Sequence, residues 1–321
     1  MNSPKKILII APFAFGYTAH IQKALQQYET IDANILYLDQ PAFSYRNTFH
    51  KVQNFFSKLF LGKNLKKTFV TDRITSELKK LGKQDEIFII RPDILNDDLL
   101  RFIKSYTNKF IAYYYDSTRR FPRKADIISM FDKVYSYDRL DVKKYDLDFL
   151  TNYIFEESNH PEFDYQFFNI STNDYRFPLL ENLAKYLKEH GWTYNIQVYN
   201  GSEMPAEFVD IITTQKSITE VSELIQKAKI IVEIQRTEQV GLSFRIFEAL
   251  GHRKKLITTN KDIVKYDFYQ PQNILVVDEN NIEIPEDFVN SPYLDIDETI
   301  LSKYKIENWV KPIFGVIPVL L

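Results

Sequence analysis

The residues best suited to bind an anionic ligand are concentrated in the segment 236–251. Polar side chains follow an apolar, strand-like run, and after them come Gly241, Leu242 and Ser243 and then an amphipathic helical pattern. Glycine at position 241 would let the backbone approach a ligand closely. A helix that begins at about Ser243 would point its free amides and the positive end of its dipole at the same place. The segment therefore predicts a phosphate site.

Two charged residues of this helix, Arg245 and Glu248, are three positions apart and share one face. The guanidinium could hold a diphosphate while the carboxylate accepts hydrogen bonds from ribose hydroxyls. The alternative is an exposed ion pair on an ordinary helix, which contributes little to stability. The next predicted strand ends in Thr258, Thr259 and Asn260, and these small hydrogen-bonding residues favour the ligand-binding interpretation.

Further polar residues follow predicted strands in the N-terminal half. Gly16 and His20 come after the first strand, and Asp116 ends an aromatic strand. His20 could act as a general base because histidine normally titrates near neutral pH, and Asp116 is a second candidate base. The structural alternatives are a helix histidine without a catalytic task and a carboxylate that caps the next turn. The other polar residues at strand ends are Arg91, Asp138 and Arg139.

Apolar runs typical of buried strands alternate with amphipathic helical patterns along the chain. This alternation predicts βαβ units and mainly parallel sheets covered on both faces. The predicted strands are 6–12, 34–38, 86–90, 110–115, 133–135, 149–153, 165–170, 195–199, 230–235, 254–258 and 273–277. The predicted helices are 19–28, 48–59, 72–81, 97–106, 124–130, 176–190, 218–228, 243–250 and 298–314, with Gly191 and Gly251 in the position of left-handed C-caps.

The periodic pattern disappears in the polar stretch 156–164 and then restarts. We therefore expect an α/β protein with two Rossmann-like, doubly wound domains that face a central cleft. The predicted limits are 1–157 for the N-terminal domain and 158–297 for the C-terminal domain. Residues 298–321 are predicted to carry a final helix that packs back across the domains.

The composition excludes several kinds of site. The chain has 321 residues, a formal net charge of −2 and no cysteine, so disulfides and thiolate chemistry are excluded and the overall charge gives no reason to bind nucleic acid. The five histidines have no metal-ligand spacing, and no apolar run approaches the roughly 20 residues that span a bilayer. We expect a cytoplasmic protein. A basic run is either a solvated helix face or a peripheral contact with anionic lipid or a lipid-linked acceptor; it comprises Lys58, Lys63, Lys66, Lys67 and Arg73.

The stretch from Glu238 to Asn260, continuing to Asp278, resembles the donor-binding segment of GT-B-fold glycosyltransferases of bacterial capsule and lipopolysaccharide assembly. In that superfamily a glycine turn and a helix with a glutamate hold the nucleoside diphosphate and its ribose. Glu238 and Glu248 are ten residues apart here, whereas the retaining-enzyme motif has eight. The donor-binding residues that the pattern and the resemblance imply are Gly16, Arg236, Glu238, Gln239, Gly241, Leu242, Ser243, Arg245, Glu248, Thr258, Thr259 and Asn260.

The resemblance implies transfer of a sugar from a nucleoside-diphosphate sugar to a hydroxyl of a growing bacterial surface glycan. It also implies that 158–297 is the nucleotide-sugar-binding domain and that 1–157 is the acceptor-side domain. We expect Arg245 and the helix amides to stabilise the departing diphosphate, with His20 or Asp116 as the base. No metal and no cofactor beyond the sugar nucleotide are predicted, and the metal-binding motif of the GT-A fold is imitated only by Asp146-Leu147-Asp148, which we interpret as surface charge. The alternatives are a nucleotide-sugar 2-epimerase on the same fold and a two-lobed, non-enzymatic binding protein.

Overall fold

The structure is a computed structural model that describes residues 3–44 and 64–316, together with positions 47, 51, 54 and 55. The predicted helix 48–59 falls largely outside the described residues, as do Lys58, Lys63 and the chain after Val316. Among the described residues, no helix combines the length and the apolar character that crossing a bilayer requires.

Packing divides the chain into two units. The first unit contains the described residues of Met1–Ser136, Asp141–Phe149 and Val310–Leu321, and the second contains Tyr137–Leu140 and Leu150–Trp309. These limits differ from the predicted ones because the ring of Tyr137 packs on Gly241 and the indole of Trp309 donates to the carbonyl oxygen of Thr151 at 2.7 Å.

The first unit is a parallel sheet with the strand order β2-β1-β3-β4-β5-β6 among the described residues. The strands are β1 (Lys5–Ala11), β2 (Ile31–Tyr37), β3 (Gln84–Ile90), β4 (Thr107–Tyr114), β5 (Lys133–Ser136) and β6 (Asp148–Phe149). The helices of this part of the chain are α1 (Ala19–Leu25), α2 (Leu65–Leu81), α3 (Asp97–Lys104), α4 (Arg123–Asp126) and α5 (Arg139–Tyr145), with 3-10 turns at Ala14–Gly16, Pro92–Ile94 and Ile128–Met130.

The second unit is a parallel sheet with the order β12-β11-β10-β7-β8-β9, again among the described residues. Its strands are β7 (Tyr165–Thr172), β8 (Tyr194–Tyr199), β9 (Asp210–Ile212), β10 (Ala228–Glu233), β11 (Lys255–Thr258) and β12 (Ile274–Val276). The helices that follow are α6 (Phe177–Glu189), α7 (Ile218–Gln226), α8 (Phe244–Gly251), α9 (Glu286–Asn290), α10 (Glu298–Leu301) and α11 (Ile306–Phe314), with 3-10 turns at Lys261–Lys265 and Ser302–Tyr304.

The central strands are mostly apolar because helices cover both faces of each sheet. Ile7, Ile9 and Ile10 of β1 are fully buried, and so are Ile230 and Val232 of β10. The predicted two Rossmann-like, doubly wound domains are confirmed. Ligands of such sheets bind beyond the carboxyl ends of the strands, where the strand order reverses. That position lies between β1 and β3 in the first unit and between β7 and β10 in the second.

The predicted single helix 298–314 is wrong. Lys305 is extended and interrupts it, because the chain pairs with Ile154 at this point. The amide of Ile154 donates to the carbonyl oxygen of Tyr304 at 2.8 Å, and the amide of Ile306 donates to the carbonyl oxygen of Ile154 at 2.9 Å. The short strand β9 and the helix α5 were not predicted, because neither is long enough to give a periodic pattern.

The two predicted left-handed caps have different outcomes. Gly191 follows α6 with a φ of 71°, as predicted, whereas Gly251 is the last residue of α8 and Arg253 adopts the left-handed conformation instead, with a φ of 52°. Position 251 requires glycine for another reason. A Cβ there would collide with the carbonyl oxygen of Glu156 and lie 2.8 Å from a methyl group of Ile154. Close packing of the backbone segments therefore fixes the end of α8.

We predict that Gly251→Ala destabilises the protein by about 2–3 kcal/mol, although alanine normally favours a helix. The matched control is Gly191→Ala, where the added Cβ meets open space and only the backbone conformation resists, at a cost of about 1 kcal/mol. Urea unfolding measures both. A Gly251→Ala variant as stable as the Gly191→Ala variant would contradict the packing explanation.

Candidate functional site

Two loops meet at the position in the second unit where the strand order reverses. Asp174 and Arg176 follow β7, and Arg236 follows β10. Arg176 binds Asp174 through two nitrogens and donates to the carbonyl oxygen of Ile234 at 2.6 Å. Arg236 forms an ion pair of 2.6 Å with the same Asp174 carboxylate. Burial raises the pKa of Asp174, but the hydrogen bonds and charges of the two arginines outweigh it and hold the pKa below its usual value.

Tyr175 connects the same two loops. Its hydroxyl accepts a hydrogen bond from the amide of Thr237 at 2.9 Å and donates to the carboxylate of Glu238 at 3.2 Å. Asp174, Tyr175 and Arg176 were not singled out from the sequence. Their position directly after the first strand of the second unit was the available signal, since ligands of this fold bind there.

A cavity of about 240 Å³ lies at the carboxyl ends of β10, β11 and β12. Pockets for drug-sized ligands begin at about 300 Å³, so this one could hold part of a sugar nucleotide rather than all of it. Four predicted donor-binding residues line it: Arg236, Gln239, Thr259 and Asn260.

A buried carboxylate, Glu233, lies at the end of β10 with 5% of its surface exposed. Ser243 donates its hydroxyl to one carboxylate oxygen at 3.1 Å, and Thr258 donates to the other at 2.6 Å. We call these three residues the Glu233 cluster. Burial raises the pKa of Glu233, while the two hydroxyls and the charges of Arg176 and Arg245 oppose the rise. The sequence does carry a signal for this site, which is an acidic residue within an apolar strand. Glutamate is rarely buried without partners, so its position alone indicates a polar cluster.

The helix α8 begins at Ser243, as predicted. Ser243 has the extended backbone of an N-cap residue, with φ −68° and ψ 162°, yet its own side chain makes no capping hydrogen bond. Its hydroxyl is directed to Glu233 instead. The amide of Ile246 donates to the carbonyl oxygen of Ser243 at 3.2 Å. The amides before it lie at a helix N-terminus, where the helix itself supplies no partner and an anion is favoured.

Arg245 and Glu248 form an ion pair of 2.7 Å on α8, but it is not the exposed pair of the structural alternative. The side chains of Arg245 and Glu248 are only 15% and 3% exposed, and the guanidinium lies 6.0 Å from the ring centre of Phe168. Neither residue lines the cavity. The ion pair is therefore part of the packed interior of the second unit, and Arg245 also lies in the first turn of α8.

Gly241 is buried, and its neighbourhood differs from the expected open phosphate turn. A Cβ at this position would lie 2.5 Å from the ring of Tyr137, so glycine is needed for that contact. Leu242 is buried, and its carbonyl oxygen accepts a hydrogen bond from Asn152 at 2.9 Å. The ring of Tyr137 covers the Cα of Gly241. A phosphate would therefore reach the first turn of α8 from a different side.

The last residue of β11 and the two polar residues after it all form hydrogen bonds within the second unit. Thr258 binds Glu233, and the hydroxyl of Thr259 accepts a hydrogen bond from the amide of Gln235 at 2.8 Å. Asn260 accepts from the amide of Asp262 at 2.9 Å and donates to the carbonyl oxygen of Val240 at 3.3 Å. Thr259 and Asn260 reach the cavity, whereas Thr258 does not line it.

The candidates in the first unit follow different strands of its sheet. Gly16 ends the 3-10 turn after β1 with a φ of 103°, and the two residues before it, Ala14 and Phe15, also have positive φ. His20 lies partly buried in the first turn of α1. Non-glycine residues in this conformation store strain, which is often found at functional positions. The strained turn lies where the strand order reverses.

Asp116 is buried beyond β4 and pairs with Arg120 at 2.7 Å, while Arg91 lies 3.9 Å away. These ion pairs engage the carboxylate that a general base would need. The carbonyl oxygen of Asp116 accepts a hydrogen bond from Lys124 at 2.7 Å, and burial lowers the pKa of Lys124 to about 8, although nearby carboxylates, chiefly Asp116, oppose this. Asp116 and Lys124 therefore form a buried polar centre of the first unit.

Among the described residues, no group of three or more histidine, aspartate and glutamate side chains is arranged to hold a metal ion. No protein-family model matches the chain, and no curated protein matches its sequence.

Solved structures do resemble it. A lipopolysaccharide outer core galactosyltransferase, WaaB, has a TM-score of 0.54 at 12% identity, with 97% of this chain and 99% of that chain covered. The chain has the GT-B fold. A UDP-GlcNAc 2-epimerase from Methanocaldococcus jannaschii in complex with UDP-GlcNAc and UDP gives a TM-score of 0.53 at 11% identity, with coverages of 97% and 99%. An alpha-glucosyltransferase in complex with UDP and a 13-mer DNA gives 0.54 at 10% identity, with coverages of 96% and 95%. The fold is thus shared by glycosyltransferases and epimerases.

We predict that Arg245→Gln destabilises the protein by about 2–3 kcal/mol, because it leaves the buried Glu248 without its cation. The control is Arg101→Gln. Arg101 pairs with Asp98 at the same spacing of three residues on α3, but the two side chains are 63% and 90% exposed. That change should cost at most about 0.5 kcal/mol. Equal effects of the two substitutions on the free energy of unfolding in urea would show that the Arg245–Glu248 pair behaves as a surface pair.

Proposed function

We propose that the protein is a glycosyltransferase that moves a sugar from a nucleoside-diphosphate sugar to a hydroxyl of a growing bacterial surface glycan. The observation that carries the proposal is the start of α8. It follows the strand end where ligands of this fold bind, the side chain of Ser243 makes no capping hydrogen bond, and Arg245 lies within the first turn. This combination suits a diphosphate.

In this reaction the acceptor hydroxyl attacks the anomeric carbon, and the bond between that carbon and the diphosphate oxygen breaks. The electron pair of the broken bond leaves with the nucleoside diphosphate, and the hydroxyl proton passes to a base. Stabilisation of the leaving group by preorganised amides and a guanidinium is the largest contribution that the described residues offer. We propose that the amides at the start of α8 and Arg245 stabilise the departing diphosphate. We propose that His20 or Asp116 is the base that accepts the hydroxyl proton.

The donor-binding role extends to the cavity beside α8. We propose that Arg236, Gln239, Thr259 and Asn260, which line it, hold the nucleoside or the sugar. Glu248 is proposed for the ribose, as the resemblance implies. The proposed donor-binding residues also include Gly16, Glu238, Gly241, Leu242, Ser243 and Thr258.

The proposed setting is the cytoplasm, with a glycan or lipid-linked acceptor and peripheral contact with the inner membrane through the basic run. The reaction is proposed to need no metal and no further cofactor. A nucleic-acid partner, such as the 13-mer DNA in the complex of the similar alpha-glucosyltransferase, is not proposed, because a formal net charge of −2 gives no overall attraction to a polyanion.

A nucleotide-sugar 2-epimerase is the second candidate. It is favoured by the similar epimerase from Methanocaldococcus jannaschii, whose structure contains UDP-GlcNAc and UDP. Such an enzyme would use the same donor site but would need no acceptor. The presence or absence of an acceptor requirement therefore separates the two functions.

We predict that one nucleoside diphosphate among UDP, GDP and dTDP raises the melting temperature, by a stabilisation of about 2.7 kcal/mol at a hundredfold excess over Kd. The matched ligands are the monophosphate and the nucleoside with the same base, and each loss of a phosphate should weaken binding because the diphosphate makes the main contacts. Release of the diphosphate from the corresponding sugar nucleotide should then require a glycan or lipid-linked acceptor and should persist in EDTA.

Interconversion of the sugar nucleotide without an acceptor would establish the epimerase instead. Loss of activity in EDTA, restored by a divalent cation, would contradict only the metal-independent form of the proposal. Equal binding of the nucleoside and the diphosphate would contradict the proposed phosphate contacts.

A further inference from the structure

One wall of the cavity is formed by the loop between β10 and α8. Every residue from Gln235 to Val240 lines the cavity except Glu238. We call the segment 235–240 the cavity loop. It carries two of the four residues proposed to hold the nucleoside or the sugar, Arg236 and Gln239. The conformation of this loop therefore decides where their side chains lie.

Two consecutive residues of the loop after β7, Asp174 and Tyr175, bind the cavity loop. The carboxylate of Asp174 forms an ion pair of 2.6 Å with Arg236. The hydroxyl of Tyr175 accepts a hydrogen bond from the amide of Thr237 at 2.9 Å and donates to the carboxylate of Glu238 at 3.2 Å. These contacts reach three successive residues of the cavity loop, and Glu238, which does not line the cavity, is one of them.

The loop after β7 is itself fixed to the sheet. Arg176 donates to the Asp174 carboxylate from two nitrogens, both at 2.9 Å, and its third nitrogen donates to the carbonyl oxygen of Ile234 at 2.6 Å. Such two-nitrogen contacts between arginine and a carboxylate have a fixed geometry. Ile234 directly follows β10. Tyr175, which lies between Asp174 and Arg176 in the chain, therefore extends from a fixed point.

The contacts of the Tyr175 hydroxyl suit the positioning of a loop better than the stabilisation of the fold. Tyr175 is 52% exposed, so its hydroxyl could bind water instead of protein groups. Replacing water by protein partners adds only modestly to the free energy of unfolding. Two partners on one loop do restrict the conformation of that loop. A loop that is ordered before the ligand arrives does not have to be ordered during binding, and this raises affinity.

We propose that Tyr175 is a positioning residue that holds the cavity loop, through Thr237 and Glu238, in the conformation that binds the sugar nucleotide. Its action passes through the loop and requires no contact with the substrate. The binding of a sugar nucleotide in the cavity rests on the proposed function, whereas the hold of Tyr175 on the loop does not.

The test compares Tyr175→Phe with a matched control, Tyr186→Phe. The hydroxyl of Tyr186, on α6, accepts a hydrogen bond from the amide of Ile284 at 3.2 Å, in the loop between β12 and α9. Neither Tyr186 nor Ile284 lines the cavity. Both substitutions therefore remove one hydroxyl from a loop amide of the second unit, but only Tyr175→Phe releases the cavity loop.

The first measurement needs no ligand. Amide hydrogen exchange, followed residue by residue by NMR, should be faster at Thr237 in Tyr175→Phe and unchanged there in Tyr186→Phe. The amide of Ile284 should show the reverse pattern. Each amide responds only to the loss of its own acceptor.

The second measurement is affinity by isothermal titration calorimetry. The probes are whichever of UDP, GDP and dTDP stabilises the wild type, together with its glucose and N-acetylglucosamine conjugates. Tyr175→Phe should lower the affinity of at least one probe about fivefold, the scale of one neutral hydrogen bond, and Tyr186→Phe should change each by at most about twofold. A loss for the conjugates alone would mean that the cavity loop faces the sugar, and a loss for the diphosphate as well would mean that it faces the nucleoside.

The outcomes separate the hold on the loop from its role in binding. Unchanged exchange at Thr237 in Tyr175→Phe would overturn the hold. Faster exchange with affinities equal to those of Tyr186→Phe, or with higher affinities, would overturn the positioning role, since the released loop would bind the probes as well or better. Faster exchange in a protein that binds none of the probes would preserve the hold and reject the proposed function.

Discussion

The hydrogen bonds that Ser243 and Thr258 donate to Glu233 join three consecutive elements of the second unit. Glu233 ends β10, Ser243 begins α8 and Thr258 ends β11, so one buried carboxylate fixes the start of the helix against two neighbouring strand ends. Backbone contacts extend the same junction, because the amide of Gln235 donates to the hydroxyl of Thr259. The candidate site depends on this junction, since the cavity and the first turn of α8 both adjoin it.

The candidate site has two chemically different parts. The cavity at the ends of β10, β11 and β12 is lined by amide and hydroxyl groups and by charged side chains of both signs, which include Arg236, Lys261, Asp262 and Asp278. Polar groups of this kind suit the recognition of a base or a sugar. The start of α8 offers amides and Arg245, which suit a diphosphate. The Arg245–Glu248 pair is largely buried, so a substitution there changes the stability of the protein as well as the proposed diphosphate contact of Arg245.

Much of the fold could be predicted from the sequence, because apolar strands such as Ile7–Ala11 are covered on both faces and alternate with helical patterns. The start of α8 and the left-handed Gly191 were also predictable from local rules. The reasons for Gly241 and Gly251 were not, because the contacts that require glycine come from Tyr137 and Glu156, which are distant in sequence. The position of Glu233 within a strand was visible, but its two hydroxyl partners follow only from the packing of β10, α8 and β11.

The most direct measurement is a crystal structure of the protein with the nucleoside diphosphate that stabilises it. We expect phosphate oxygens within hydrogen-bonding distance of the first amides of α8, with the base or sugar in the cavity lined by Arg236 and Asn260. A nucleotide bound elsewhere, or phosphate oxygens that do not contact these amides, would contradict the proposed donor site.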